Sequence, residues 1–336
     1  MIVRSKAPLR LGLAGGGSDV SPYSDLYGGN VLNATINLSA YCTIETLDAP
    51  VMRVNSADAG IRAEVPLGTP SGAILIDGVY ARVVKDFGLV PGGFAITTYN
   101  DAPAGSGLGT SSTMVVCILK CFAEWLGLPL GDYELARLSF EIERLDLGLA
   151  GGKQDQYAAA FGGVNFMEFL PSDVVIVNPL RVKDWILHEL EISMLLYFTG
   201  RSRFGADIIA QQQEATRSGA VQAVQAMHRI KQSAVDMKLA LLQGDMRAFA
   251  RILGAAWEDK KKMATAITNP MIQEAFDTAM AAGAISGKVS GAGGGGFMML
   301  MVEPQKRMDV IAALSRLSGK VVPFQFTHEG AVAWKL

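Results

Sequence analysis

Little in this chain points to metal, redox or membrane chemistry. Its three cysteines, Cys42, Cys117 and Cys121, form no CxxC pair, and its three histidines, His188, His228 and His328, stand apart from any second ligand at metal-binding spacing. Neither a zinc site nor a disulfide framework is expected, and an odd number of thiols fits a reducing compartment. No apolar run approaches the ~20 residues that a membrane span requires, and MIVRSKAPLRLGL at the start lacks the long apolar stretch of an export signal. A dominant charge is missing as well. Thirty Lys plus Arg against 32 Asp plus Glu leave a net charge of -2, so neither nucleic acid nor an anionic membrane is expected as a partner. The expectation is a soluble, cytoplasmic chain in which any anion is held locally.

Apolar residues and glycine are plentiful. With 336 residues, half of them hydrophobic, the chain can build two domains sharing a cleft. PLRLGLAG, NVLNATINLSAYCTIETL and VMRVNSAD read as strands and GAILIDGVYARVVKDFG as a helix. DYELARLSFEIERLDLG places Leu135, Leu138, Ile142 and Leu145 on one helical stripe, with Glu141 and Glu143 off it. Two prolines in PSDVVIVNPLRVKDW suggest a crossing between a unit 1–180 and a unit 181–336. In the second unit EISMLLYFTG reads as a strand, and a helix capped by Asp245 buries Phe249, Leu253 and Trp257. EDKKKM, at the end of that helix, reads as a solvated face. Segregated strands and helices favour an α+β class.

The 37 glycines include three clusters. DAPAGSGLGTSST, residues 101–113, lies between a strand pattern and a helix pattern, where unpaired helix N–H groups make a ready anion site. It is not a P-loop, because Thr110 and Ser111 rather than Lys follow Gly109. It is not the dinucleotide fingerprint either, since Thr110 stands where the third glycine should be. Taken alone, the loop fits either a phosphate cradle or a capped turn. LAGGGSD at 13–19 and SGAGGGGF at 290–297 are the other two clusters, and close approach of backbone to a ligand is one reason for such glycine.

KAPLRLGLAGGGSD, PAGSGLGTSST and KVSGAGGGGF resemble, in order, the three motifs of the GHMP kinases, the family of galactokinase, homoserine kinase, mevalonate kinase and phosphomevalonate kinase. The resemblance spans nearly the whole chain. GGGSD together with GGKQDQYAAAFGG is most similar to the D-glycero-D-manno-heptose 7-phosphate kinases, which phosphorylate C1 of the sugar. It implies a two-domain α+β fold with ATP, Mg²⁺ and a small sugar phosphate meeting in the interdomain cleft; homo-oligomerisation stays open. Pro103, Gly105, Ser106, Gly107, Leu108, Gly109, Thr110, Ser111 and Ser112 would wrap the ATP phosphates.

By the same resemblance Ser111 and Glu143 would hold Mg²⁺, the alternative being that Glu143 is an exposed helical residue paired with Arg144 or neighbouring lysines. Asp155 matches the catalytic aspartate, either accepting the proton of the attacking hydroxyl or orienting it. Arg10 would stabilise the transferring charge. Lys153 would support Asp155 or touch the γ-phosphate, or else be a solvated loop lysine. Gly16, Gly17, Ser18 and Asp19, with Gly291, Gly293 and Gly294, would meet the sugar, Asp19 being alternatively a helix N-cap. Galactokinase carries Glu-His-Thr where Gly16, Gly17 and Ser18 stand, which argues against galactose. Arg201 and Arg203 are the expected partners of a sugar phosphate, unless they belong to a solvated loop. Another sugar (fucose, mannose or an N-acetylhexosamine) and a non-catalytic sensor of the same fold are the competing readings.

Overall fold

The computed structural model describes every residue except 89–91 and 203–204. The first part of the chain runs through β1 (Ile2–Ala14), α1 (Tyr23–Tyr27), β2 (Gly29–Thr46), β3 (Val51–Ser56), β4 (Ile61–Pro66), α2 (Ile74–Phe87), β5 (Phe94–Asn100), α3 (Thr110–Leu126), α4 (Asp132–Phe140), α5 (Gln154–Phe161), β6 (Val164–Leu170) and β7 (Val174–Pro179). The rest comprises α6 (Asp184–Ser193), β8 (Met194–Phe198), α7 (Ala206–Arg217), α8 (Val221–Gln243), α9 (Met246–Lys261), α10 (Pro270–Ala281), β9 (Ala284–Val289), β10 (Phe297–Val302), α11 (Arg307–Leu314), β11 (Lys320–Val322) and β12 (Val332–Lys335).

An eight-stranded sheet takes the order β12-β1-β2-β5-β3-β4, with β6 also on β2 and β7 beyond it. Among the described residues β3 and β5 form its parallel pair. A four-stranded antiparallel sheet takes the order β11-β8-β10-β9. The last strand, β12, returns to the first sheet and pairs with β1, Val3 opposite Lys335, so the two ends of the chain are stitched together. The segment read as the strand EISMLLYFTG is split: EIS ends α6 and only Met194 onward pairs as β8. Ile186, Leu187 and Leu190 explain this, since their spacing buries one helical face up to Ser193.

β1 alternates between buried and part-exposed up to Lys6 and is buried on both faces from Ala7 onward. That change marks where the second half of the chain covers it. Leu9, Leu11 and Leu13 pack into a cluster that also holds Phe297 and Met299 of β10 and Phe249 and Leu253 of α9, and this cluster is the seam between the two sheets. Beneath the first sheet, α3 buries Cys117 and Cys121 beside Cys42. Burial pushes the Cys117 thiol up to about 12, as suits a packing residue rather than a nucleophile. Among the described residues no helix is long and apolar enough to cross a membrane.

Candidate active site

β1 slips in register against β2 between Pro8 and Arg10. Pro8 has no N–H to give to the ladder, and the irregularity frees the Arg10 N–H to donate instead to Leu108 O at 3.2 Å. Arg10 is thereby fixed against the glycine loop that opens α3. Its side chain, 5% exposed, gives Asp155 Oδ1 two hydrogen bonds, from Nε at 2.8 Å and from Nη2 at 2.7 Å, and a third to Gly107 O at 2.6 Å. Asp155 stands in the first turn of α5, and a side chain at Gly109 would lie 3.3 Å from its Oδ2. The carboxylate thus has one oxygen held by arginine and the other beside the start of α3.

The loop itself is tight for a reason. Gly107 has φ +83°, and a Cβ there would come within 2.5 Å of Ser290 O. Ser290 Oγ donates to Gly107 O at 2.8 Å, and Phe297 N donates to Ser106 O at 2.9 Å. The second and third glycine motifs, 101–113 and 290–297, therefore meet backbone to backbone. No side chain caps the N-terminus of α3, which leaves its first N–H groups facing the cleft.

α4 continues into a π-turn over Glu141–Asp146, with Leu147 N bonded five residues back to Ile142 O at 3.0 Å. The extra residue in that turn rotates everything after Ile142. Leu145, expected on the buried stripe, is 69% exposed, and Glu143, expected off it, is 1% exposed. Glu143 accepts from the Ser111 hydroxyl at 2.7 Å and from Gln156 Nε2 at 2.7 Å, and pairs with Arg144 at 3.1 Å. The reading of Glu143 as an exposed residue is corrected; its contact with Arg144 is present but buried. Among the described residues no cluster of three or more Asp, Glu, His or Cys exists that could enclose a metal alone. A hydroxyl and a carboxylate in contact at the start of α3 fit instead a hard cation that takes its remaining oxygens from a ligand and water.

These groups open on one cleft of about 590 Å³, lined from both halves of the chain. Gly105, Gly107, Gly109, Thr110, Ser111 and Ser112 line it. Pro103, Ser106 and Leu108 do not: Pro103 faces solvent, while Ser106 and Leu108 are fully buried, Leu108 in the seam. Gly16, Gly17, Asp19, Gly291 and Gly293 also line the cleft, but Ser18 and Gly294 do not. The Ser18 hydroxyl is spent on Gly15 O at 2.8 Å and Asn30 O at 3.0 Å, and Gly294 N on Ile267 O. Asp19 does not cap α1, whose N-cap is Pro22, but reaches the N-terminus of α5: its carboxylate accepts from Gly17 N, Gln154 N and Gln154 Nε2 at 3.0 to 3.1 Å.

Lys153 is not brought to Asp155. Residues two apart on a helical turn point to different sides, and Lys153 pairs with Asp173 and lies 5.6 Å from the Phe140 ring centre. Arg201 is exposed and off the cleft, and Arg203 lies outside the described residues. Besides Arg10 and Arg144, the cations that do line the cleft are two to which the sequence had given no role there. Lys260, from the run read as solvated, and Lys288 are each 6% exposed. Lys260 Nζ donates to Gly291 O, and Lys288 Nζ to Gly12 O at 2.7 Å and Leu13 O at 3.3 Å. Burial and then the neighbouring Arg10 push Lys260 down to about 8, Asp19 opposing; Lys288 is also pushed well down, by burial and then by Lys260 and Arg10. At the other end Ile61, Ile74, Met114 and Ile118, with Asp58 and Asn100, form an apolar slot with a polar rim that no local motif announced.

Two family profiles match the chain, that of the "GHMP kinases N terminal domain" over residues 75–163 and that of the "GHMP kinases C terminal" over 237–320. The D-glycero-alpha-D-manno-heptose 7-phosphate kinase of Campylobacter jejuni is 47% identical, covering 99% of each chain. A crystal structure described as a D-glycero-D-manno-heptose 1-phosphate kinase from Bacteroides thetaiotaomicron is 58% identical, with a TM-score of 0.85 and 99% of each chain covered. Galactokinase from Lactococcus lactis, solved with galactose, shares the fold at 17% identity, with a TM-score of 0.79 over 98% of this chain and 95% of its own.

Proposed function

From the premise that the chain belongs to the GHMP kinases, we propose that its cleft transfers the γ-phosphoryl group of ATP to the C1 hydroxyl of D-glycero-D-manno-heptose 7-phosphate, giving the 1,7-bisphosphate. The chain is a sugar kinase by its likeness to the heptose phosphate kinases over its full length. The single observation that carries the reaction is the contact of Arg10, Asp155 and Gly107 at the mouth of α3. Here a carboxylate fixed by a guanidinium faces a helix N-terminus whose N–H groups are free for phosphate.

Phosphoryl transfer asks mainly for positioning and charge neutralisation. Arg10 holds Oδ1 of Asp155 and leaves Oδ2 to accept the proton of the attacking hydroxyl as its oxygen bonds to phosphorus and ADP departs. The N–H groups of Thr110, Ser111 and Ser112 would hold the phosphates, and the apolar slot beside Asp58 would take the base. Ser111 and Glu143 would hold Mg²⁺, which neutralises phosphate charge when bound. Asp19 and the backbone of Gly16 and Gly17 would orient sugar hydroxyls.

The relatives' names place the phosphate already on the sugar at position 7 in one case and position 1 in the other, so the acceptor carbon is the point to test. Coupled ADP release with Mg·ATP is measured against heptose 7-phosphate, heptose 1-phosphate, mannose, fucose and galactose, and the new phosphate is located by ³¹P NMR. Turnover on the 7-phosphate with a new anomeric phosphate is expected. Turnover on the 1-phosphate alone would reverse the regiochemistry, and turnover on a plain sugar alone would discard the sugar phosphate.

A further inference from the structure

Lys260 and Lys288 are buried ammonium groups that, among the described residues, form no ion pair; their partners are backbone carbonyls of Gly291, Gly12 and Leu13. The nearby carboxylates are engaged elsewhere, Asp155 by Arg10 and Asp19 by Gln154 and Gly17 N. Two ammonium groups gathered at low dielectric beside the Arg10–Asp155 pair, without matching anions of their own, are costly to a fold unless a ligand completes them. They also stand on a particular side. Lys288 is anchored to β1 just ahead of the Gly16–Asp19 turn and Lys260 to the 290–297 loop, whereas the Ser111–Glu143 contact is at the other end of the loop that opens α3.

We propose that Lys260, backed by Lys288, forms the subsite for the phosphate group that the sugar already carries, a role the sequence had suggested for Arg201 and Arg203. The proposal rests on the sugar phosphate reading above. Of the three N–H donors of Lys260, one is used on Gly291 O, so two are free for phosphate oxygens; Lys288 keeps one. An ammonium suits this task as a compact point charge with rotatable donors. A sugar without phosphate leaves both cations buried and unpaired, so the same pair that accepts a sugar phosphate rejects the plain sugar. Arg201, exposed and off the cleft, has no part in it.

The test compares kcat/KM for heptose 7-phosphate with that for the unphosphorylated heptose, at saturating Mg·ATP, in the full-length enzyme. The wild type is expected to favour the phosphate by about 100-fold or more; absence of any preference means that the sugar phosphate reading itself has failed, whatever Lys260 does. Given the preference, Lys260→Gln is expected to raise KM for heptose 7-phosphate by about tenfold or more while KM for ATP moves by less than about twofold, and to pull the preference ratio toward unity. Lys260→Arg is expected to restore part of the ratio. Equal losses on both acceptors would overturn the proposal and move Lys260 to the transferring phosphate. A second measurement needs no variant: inorganic phosphate is expected to compete with heptose 7-phosphate in the wild type, and competition with ATP alone would likewise overturn it.

Discussion

The two ends of the cleft are built in opposite ways. The end that we propose takes the phosphates of ATP is mainly one stretch of chain, the loop at 105–112 running into α3, completed by Glu143 and Arg144, whose opposite charges pair. The acceptor end is assembled from β1, α5, α9 and β9, with Lys288 reaching a carbonyl 276 residues away, and its excess is of cations. A contiguous segment suits a group presented in one fixed way, as the phosphates of ATP are, because backbone N–H groups bind it whatever the surrounding side chains. Side chains from four elements suit an acceptor, since each can change without disturbing the loop. Arg10 joins the two ends by bonding Gly107 O on one side and Asp155 on the other.

The sharpest way to break that comparison is at the junction. Asp155→Asn keeps the shape but cannot hold a proton from the sugar, and kcat is expected to fall by about 10²- to 10⁴-fold. ATP affinity, measured by equilibrium titration, is expected to stay near the wild-type value, because the phosphate loop and base slot are untouched. Full turnover in this variant would mean that the two ends meet elsewhere.

A smaller effect is expected within the donor end. Glu143→Gln keeps a hydrogen-bond acceptor for Ser111 but removes the charge, and the Mg²⁺ concentration for half-maximal rate is expected to rise by about tenfold. A metal titration at fixed ATP checks this. An unchanged midpoint would leave Glu143 as the buried partner of Arg144 and Gln156 and nothing more.

The difference between the ends also decides what could be read from the letters. The three glycine loops were legible because each is a local pattern with a local physical reason, whereas Ser111, Arg10 and, in GGKQDQY, Asp155 were singled out through the family resemblance. Glu143 was identified, but its burial was not, since a π-turn adds one residue without a proline or glycine to announce it. Lys260 was hidden by its neighbours in EDKKKM, although the stripe of Phe249, Leu253 and Trp257 lands on position 260 one turn later. Following the period to the end of the helix would have found it; weighing it as part of a charged run did not. Lys288 opens KVSGAGGGGF but was given no role there, and the slot beside Asp58 had no local signal, because only the packing of distant segments brings it to the cleft. Domain boundaries at 180 and 181 remain a proposal on which β12 bears, since it returns to the first sheet.

The smallest effect expected is on stability, and its sign separates an acceptor subsite from an ordinary structural lysine. Lys260 is pushed down to about 8 by burial, then by Arg10, with Asp19 opposing. Below that pH the folded protein keeps a desolvated ammonium at a cost. Between about 8 and the ordinary lysine value near 10.5 the unfolded chain binds a proton that the folded chain has released, so this group's penalty shrinks as pH rises. Lys260→Met removes the ammonium and keeps much of the stem's packing, and it relieves Lys288, which Lys260 also pushes down. Without ligand at pH 7 the variant is expected to be more stable than the wild type by about 1 to 3 kcal/mol, an increase of a few degrees in Tm. That margin is expected to narrow in melts between pH 8 and 10. Adding heptose 7-phosphate is expected to stabilise the wild type more than the variant and so reverse the order at sufficient ligand. A variant that melts lower at pH 7 without ligand would mean that Lys260 holds the 290–297 loop through Gly291, and that the acceptor end, like the donor end, is complete without its substrate.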